Sequence, residues 1–92
     1  MNKLDSDFFN RADEHIQLSN DQMLKVSMGK VSSSMMYSVA RFNAYVFAHK
    51  CNSVEEMKRA RQETIDFFVA EYEMMLKENL DDYIKNFNKY KS

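Results

Sequence analysis

The chain contains no proline and a single glycine, Gly29, among its 92 residues. Hairpin turns and sheet edges usually depend on these two residue types, whereas helix-forming residues are abundant here. The sequence therefore predicts an all-α fold. We expect one helical domain over residues 1–92, an up-down-up bundle of three helices in which the third helix is the longest.

Charge and cysteine content narrow the classes of partner. The 13 basic and 14 acidic side chains give a formal net charge of -1, which removes the main electrostatic reason to expect nucleic acid or an anionic membrane surface as a partner.

The single cysteine, Cys51, cannot form an internal disulfide. No apolar run approaches the roughly 20 residues that cross a bilayer, and the start MNKLDSDFFNR lacks the apolar core of a signal peptide. We expect a cytoplasmic protein with no membrane or nucleic-acid partner.

Amphipathic periodicity predicts the first helix from about Asp5 to Ser27. One arc of this helix collects Phe8, Phe9, Ala12, Ile16, Ser19, Met23 and Val26. The remaining positions are mostly polar, as on a solvent-facing surface. A single amphipathic helix of this kind needs the other helices to cover its apolar arc.

The stretch Gly29-Lys30-Val31-Ser32 raises the question of a phosphate-binding loop. That motif requires a glycine five residues before the Gly-Lys pair and Ser or Thr directly after the lysine. Leu24 and Val31 occupy those places here. We therefore interpret Gly29 as the left-handed end of helix 1 and Ser32 as the cap of helix 2.

Helix 3 begins at a capping box, Ser53-Val54-Glu55-Glu56. Its main apolar stripe is predicted to contain Val54, Met57, Thr64, Ile65, Phe68, Tyr72, Met75 and Leu76. A second set, Ala60, Phe67 and Met74, lies about a quarter turn away. Because one small domain offers little to cover two surfaces, we expect Phe67 and Met74 to lie at an interface. Near Asn79 the helix either continues or breaks into a short fourth helix.

Helix 2 carries the candidate functional residues. Its apolar arc contains Met35, Met36, Val39, Phe42, Val46 and Phe47. Asn43 falls inside this arc and is predicted to be a buried polar residue, whereas Tyr37, Arg41 and Tyr45 lie together on the other side. Three interpretations of Arg41 stay open: an ion pair with an acid of helix 1 or 3, the anchor of a protein contact, and an anion site. Tyr and Arg are enriched at interface hot spots.

The sequence offers no convincing chemistry for catalysis. His49 and Cys51 are two residues apart, so on a helix they point in different directions, and no second Cys or His-x-x-x-His pair accompanies them. Adjacent acids such as Asp81 and Asp82 also project about 100° apart. We predict no catalytic residue, no metal site and no cofactor.

The segments FFNRADEHIQLSN, GKVSSSMMYSVARFNAYVFA and ETIDFFVAEYEMMLKENLDDYI together resemble a family of small uncharacterised bacterial proteins, a domain of unknown function. The resemblance runs from Phe8 to Ile84. It implies a bacterial, soluble, single-domain protein without an assigned activity, cofactor or site, so no residue role is transferred from it.

The function predicted from the sequence is a non-enzymatic, helical protein–protein interaction module. Its partner would be another protein or a second copy of the chain, as in a homodimer, and contact would be helix on helix. The alternative is a small-molecule binder in which Arg41 holds an anionic or amphipathic ligand against Met and Phe side chains. A cavity of roughly 300 Å³ or more beside Arg41 would favour the alternative.

Overall fold

The computed structural model describes residues 5–91, which form five helices. They are α1 (Phe8–Gln22), α2 (Met28–Lys50), α3 (Val54–Arg59), α4 (Arg61–Lys85) and α5 (Phe87–Lys91). None of the described residues lies in a strand. The all-α prediction is confirmed, while the up-down-up order of three helices stays a prediction.

The chain divides into two compact units, one ending at Val46 and the other beginning at Phe47. The first contains α1 and most of α2, and the hydroxyl of Ser19 on α1 lies 4.0 Å from the sulfur of Met35 on α2. The second contains the end of α2 and α3 to α5, where α4 contacts both α3 and α5.

The connection between α1 and α2 lies earlier than the sequence suggested. Helix α1 ends at Gln22, and Gly29 is already the second residue of α2, with no positive φ. The hydroxyl and carbonyl oxygens of Ser27 accept from the backbone N–H of Lys30, at 3.4 and 3.1 Å. Ser27 therefore caps α2, and the predictions that Gly29 stops helix 1 and that Ser32 caps helix 2 are wrong. Ser27 precedes Ser32 and presents the same capping chemistry, so the helix begins five residues sooner.

The predicted capping box at Ser53 is confirmed in its main bond. The Ser53 side chain accepts from the N–H of Glu56 at 3.1 Å. The Glu56 carboxylate returns to the N–H of Asn52 at 2.6 Å, one residue before the cap. Two backbone donors at the start of α3 are thereby satisfied by side chains.

The predicted third helix is interrupted at other places than Asn79. Ala60, with φ -92° and ψ 1°, separates α3 from α4, although alanine is the best helix former. Helix α4 then runs through Asn79, whose amide donates to the Met75 carbonyl at 2.8 Å. The break near the C-terminus comes at Asn86, with φ -111° and ψ 27°. Of the two possibilities at Asn79, the continuous helix is the observed one.

Few side chains are well buried among the described residues. Of these residues only Val31 is almost fully covered, at 5% exposure. Asn43 is half-buried, so the prediction of a buried amide was wrong. The reason is that its apolar neighbours on α2 are themselves poorly covered: Val39 is 50% and Phe42 63% exposed. A half-exposed amide can be solvated and needs no protein partner.

Candidate functional site

Tyr37, Arg41 and Tyr45 stand on successive turns of α2 and form what we call the Tyr-Arg-Tyr strip. The two tyrosines are 69% and 59% exposed. A four-residue spacing places each side chain above the last on one helix face. The predicted grouping of these three residues therefore follows directly from the continuous helix.

A shallow depression of about 410 Å³ lies on this strip. It is lined by Tyr37, Ser38, Arg41, Phe42 and Tyr45. The ring centroids of Phe42 and Tyr45 lie 6.1 Å apart, with 38° between the ring planes, and form its aromatic edge. The Ser38 hydroxyl donates a hydrogen bond to the Ser34 carbonyl at 2.9 Å. Among residues 5–91, the lining residues all belong to one helix, and they form a floor without opposing walls.

Arg41 supplies the positive charge of the depression. Within the described part of its own unit, residues 5–46, no carboxylate forms an ion pair with it. Asp5, an acid of that unit, is instead paired with Arg11. The guanidinium of Arg41 presents planar donors that suit a carboxylate or a phosphate. Of the three interpretations, an ion pair with an acid of helix 1 is not observed.

The second predicted surface, on α4, is only partly exposed. Phe67 is 57% exposed and packs edge-on against Phe68, with ring centroids 5.3 Å apart at 75°. Met74 is half-buried. The two residues do share one side of the helix, but no other large apolar side chain of α4 accompanies them there.

A larger exposed apolar surface lies on another side of α4, and half of its residues belong to the main apolar stripe predicted for helix 3. We call it the α4 seam. Its residues and exposed fractions are Ile65 (38%), Val69 (59%), Tyr72 (48%), Leu76 (42%), Leu80 (51%) and Tyr83 (53%). The steps of three and four residues between them were the signal in the sequence, but the predicted stripe stopped at Leu76 and omitted Val69.

The remaining candidates for chemistry are unpromising. Partial burial and, to a lesser degree, the negative charge of Glu56 raise the pKa of the Cys51 thiol, so the reactive thiolate is disfavoured at neutral pH. Among residues 5–91, no group of three or more His, Cys, Asp or Glu side chains is arranged to hold a metal ion. None of the helices in that range has the length and apolarity needed to cross a membrane.

Comparison with known proteins places the chain in a family. It is similar to the protein NB7890A from Shewanella sp, whose NMR structure matches with a TM-score of 0.79 at 35% sequence identity, over 98% of this chain and 96% of that one. No curated protein matches. A family model described as "Protein of unknown function (DUF3144)" matches residues 8–84. This span agrees with the resemblance noted from the sequence, and the chain belongs to that family.

Proposed function

We propose that this chain is a non-enzymatic protein–protein interaction module that binds through helix-on-helix contacts. The observation that supports it is the exposure of large apolar side chains in both units. In the first unit Phe42 is 63% exposed and Phe9 67%, and in the second the α4 seam is open along its length. Contiguous exposed apolar surface of this kind marks contact sites in soluble proteins.

The Tyr-Arg-Tyr strip supports the proposal with specific chemistry. Tyr37 and Tyr45 supply large surfaces at low conformational cost, and Arg41 supplies donors for an acidic group on the partner. The depression between them would accept one side chain of the partner. In this proposal Tyr37, Arg41 and Tyr45 anchor the contact, and the exposed Phe67 extends the interaction surface in the second unit.

A small-molecule binder remains the second candidate, because the depression beside Arg41 reaches about 410 Å³ and so exceeds the lower limit of roughly 300 Å³ for a ligand site. Drug-sized ligands usually bury most of their surface between several elements. One helix face covers a ligand on a single side, which favours a protein partner. Binding of a fatty acid, followed by isothermal titration and lost in Arg41→Gln, would support the ligand alternative.

The interaction proposal is tested by affinity capture from the native host, with the full chain as bait. Arg41→Ala should lose specific proteins that the wild type retains, whereas Arg59→Ala, which removes an exposed arginine of α3, should retain them. An unchanged set of captured proteins with Arg41→Ala would contradict the role of the strip. Far-ultraviolet circular dichroism of both variants would check that their helices are intact.

The same proposal includes a cytoplasmic location and the absence of nucleic-acid and membrane partners. A net charge of -1 supports the absence of both kinds of partner, because neither polyanion would be attracted strongly. Bacterial origin is supported by the similarity to the Shewanella protein. Fractionation of host cells, followed by immunodetection of the chain in the soluble and membrane fractions, tests the location.

A further inference from the structure

We propose that the α4 seam is the docking surface for the α4 seam of a second copy of this chain, with the two helices antiparallel. This inference rests on the proposed interaction function and names one partner for it. The seam extends over 19 residues of uninterrupted helix, about 27 Å from the first to the last, and none of its members is charged. It therefore presents a continuous apolar surface of the length that helix pairing requires.

The area of the seam matches what a stable dimer needs. The exposed fractions of its six side chains leave roughly 600 Å² per copy, and two copies facing each other would bury roughly 1,200 Å², the lower end of specific interfaces. Contacts of residues beside the seam would add to this area. A much smaller partner would leave part of the seam open.

The spacing of the seam makes it complementary to itself. Its six residues follow one another from Ile65 to Tyr83 at steps of four, three, four, four and three residues. This is the repeat by which side chains of one helix fill holes on another. A second copy supplies the matching repeat without any further requirement on its sequence.

An antiparallel arrangement pairs large residues with smaller ones. Tyr72 would face the partner's Leu76, and Ile65 would face the partner's Tyr83. A parallel arrangement would instead oppose each tyrosine to its own copy. Antiparallel helices also place opposite ends of their dipoles together. Packing and electrostatics therefore favour the same direction.

One polar residue, Asn79, adjoins the seam next to Leu80 and is compatible with burial. Asn79 would face the partner's Val69, which has no polar group to offer. The Asn79 amide already donates to the Met75 carbonyl at 2.8 Å, so one of its donors keeps a partner within its own helix. At the edge of the seam, Glu73 and Lys77 pair within the copy at 2.9 Å. With a net charge of -1 per chain, two copies repel only weakly.

Sedimentation equilibrium of the full chain tests the inference. The wild type should form dimers in the micromolar range, and Val69→Glu should raise the dissociation constant of the dimer at least about tenfold, because a charge would be buried without a partner. Val54→Glu is the matched control, since Val54 is 63% exposed against 59% for Val69 but lies on α3, outside the seam. Dimers lost in Val54→Glu and kept in Val69→Glu would overturn the choice of face.

A wild type that stays monomeric at high micromolar concentration would overturn the inference outright. That result would leave the proposed interaction function standing if capture still depended on Arg41. Conversely, capture that did not depend on Arg41 would leave the dimer inference standing if Val69→Glu still weakened the dimer. The two proposals can thus fail separately.

Disulfide trapping tests the direction. Two chains are prepared in a Cys51→Ser background, one with Ile65→Cys and one with Tyr83→Cys, and are mixed under mild oxidation. The antiparallel arrangement predicts a disulfide between the two different chains. Disulfides only between identical chains would show a parallel pair and overturn the antiparallel arrangement.

Discussion

Asp5 and Arg11 form a two-pronged ion pair at the start of α1, with Nη1 to Oδ1 at 2.9 Å and Nη2 to Oδ2 at 2.8 Å. Asp5 also accepts from the N–H of Asp7 at 3.1 Å. The hydrogen bond from Arg11 is the largest cause that lowers the pKa of Asp5, from its ordinary 3.8 to about 2. A carboxylate three residues before the first residue of α1 thus connects the incoming chain to Arg11 in the helix.

The first prediction follows from that pair. In Arg11→Gln the pKa of Asp5 should return toward 3.8, because the charged donor is lost. Since folding lowers this pKa, the stabilisation by the pair is complete above pH 3.8 and is lost as the pH falls toward about 2. Carboxyl chemical shifts followed by NMR titration measure both values. Arg59→Gln is the control, and an ordinary pKa of Asp5 in the wild type would refute the pair in solution.

Loss of the cap on α3 should lower the stability of the protein by a measurable amount. Ser53→Ala removes the acceptor for the Glu56 N–H and should lower the free energy of unfolding by about 1 kcal/mol. Urea denaturation provides the measurement. The matched control is Ser33→Ala, an exposed serine within α2, for which the change should stay within about 0.5 kcal/mol. Equal effects of the two substitutions would contradict the capping role.

Gly29→Ala distinguishes the observed helix start from the predicted helix stop. Gly29 has no positive φ, and an added Cβ would meet nothing within 4 Å. Replacement by alanine should therefore stabilise the protein by roughly 0.5 to 1 kcal/mol, because alanine loses less backbone entropy in a helix. A left-handed glycine would give the opposite sign. Thermal unfolding of the variant decides between them.

Val31→Ala should be costly because Val31 is 5% exposed. Losing its two methyl groups should lower the free energy of unfolding by roughly 1 to 3 kcal/mol, from lost burial and the cavity left behind. Val54→Ala removes the same atoms from a side chain that is 63% exposed and should cost under about 0.5 kcal/mol. Chemical denaturation of the two variants under the same conditions measures both changes in the free energy of unfolding. A difference near zero would show that Val31 is not buried in solution.

The sequence predicted those features that depend on neighbouring residues. The cap at Ser53 was found because its hydroxyl and the Glu56 N–H are three residues apart, a distance that local geometry controls. The Tyr-Arg-Tyr strip was found for the same reason, since helical periodicity alone aligns its members. Ser27 was missed because Gly29 and Ser32 offered an equally good local stop and start. No local propensity explains the break at Ala60.

What the sequence by itself determined is the helical class, the helix faces and the α3 cap, because each follows from propensity and periodicity over a few residues. Only the tertiary structure decided which face is covered. Val31 became buried, Asn43 stayed half-buried, and the Val69 side of α4 stayed open. Periodicity shows that a face is apolar, but its burial depends on what packs against it, and that is a property of distant parts of the chain or of a second molecule.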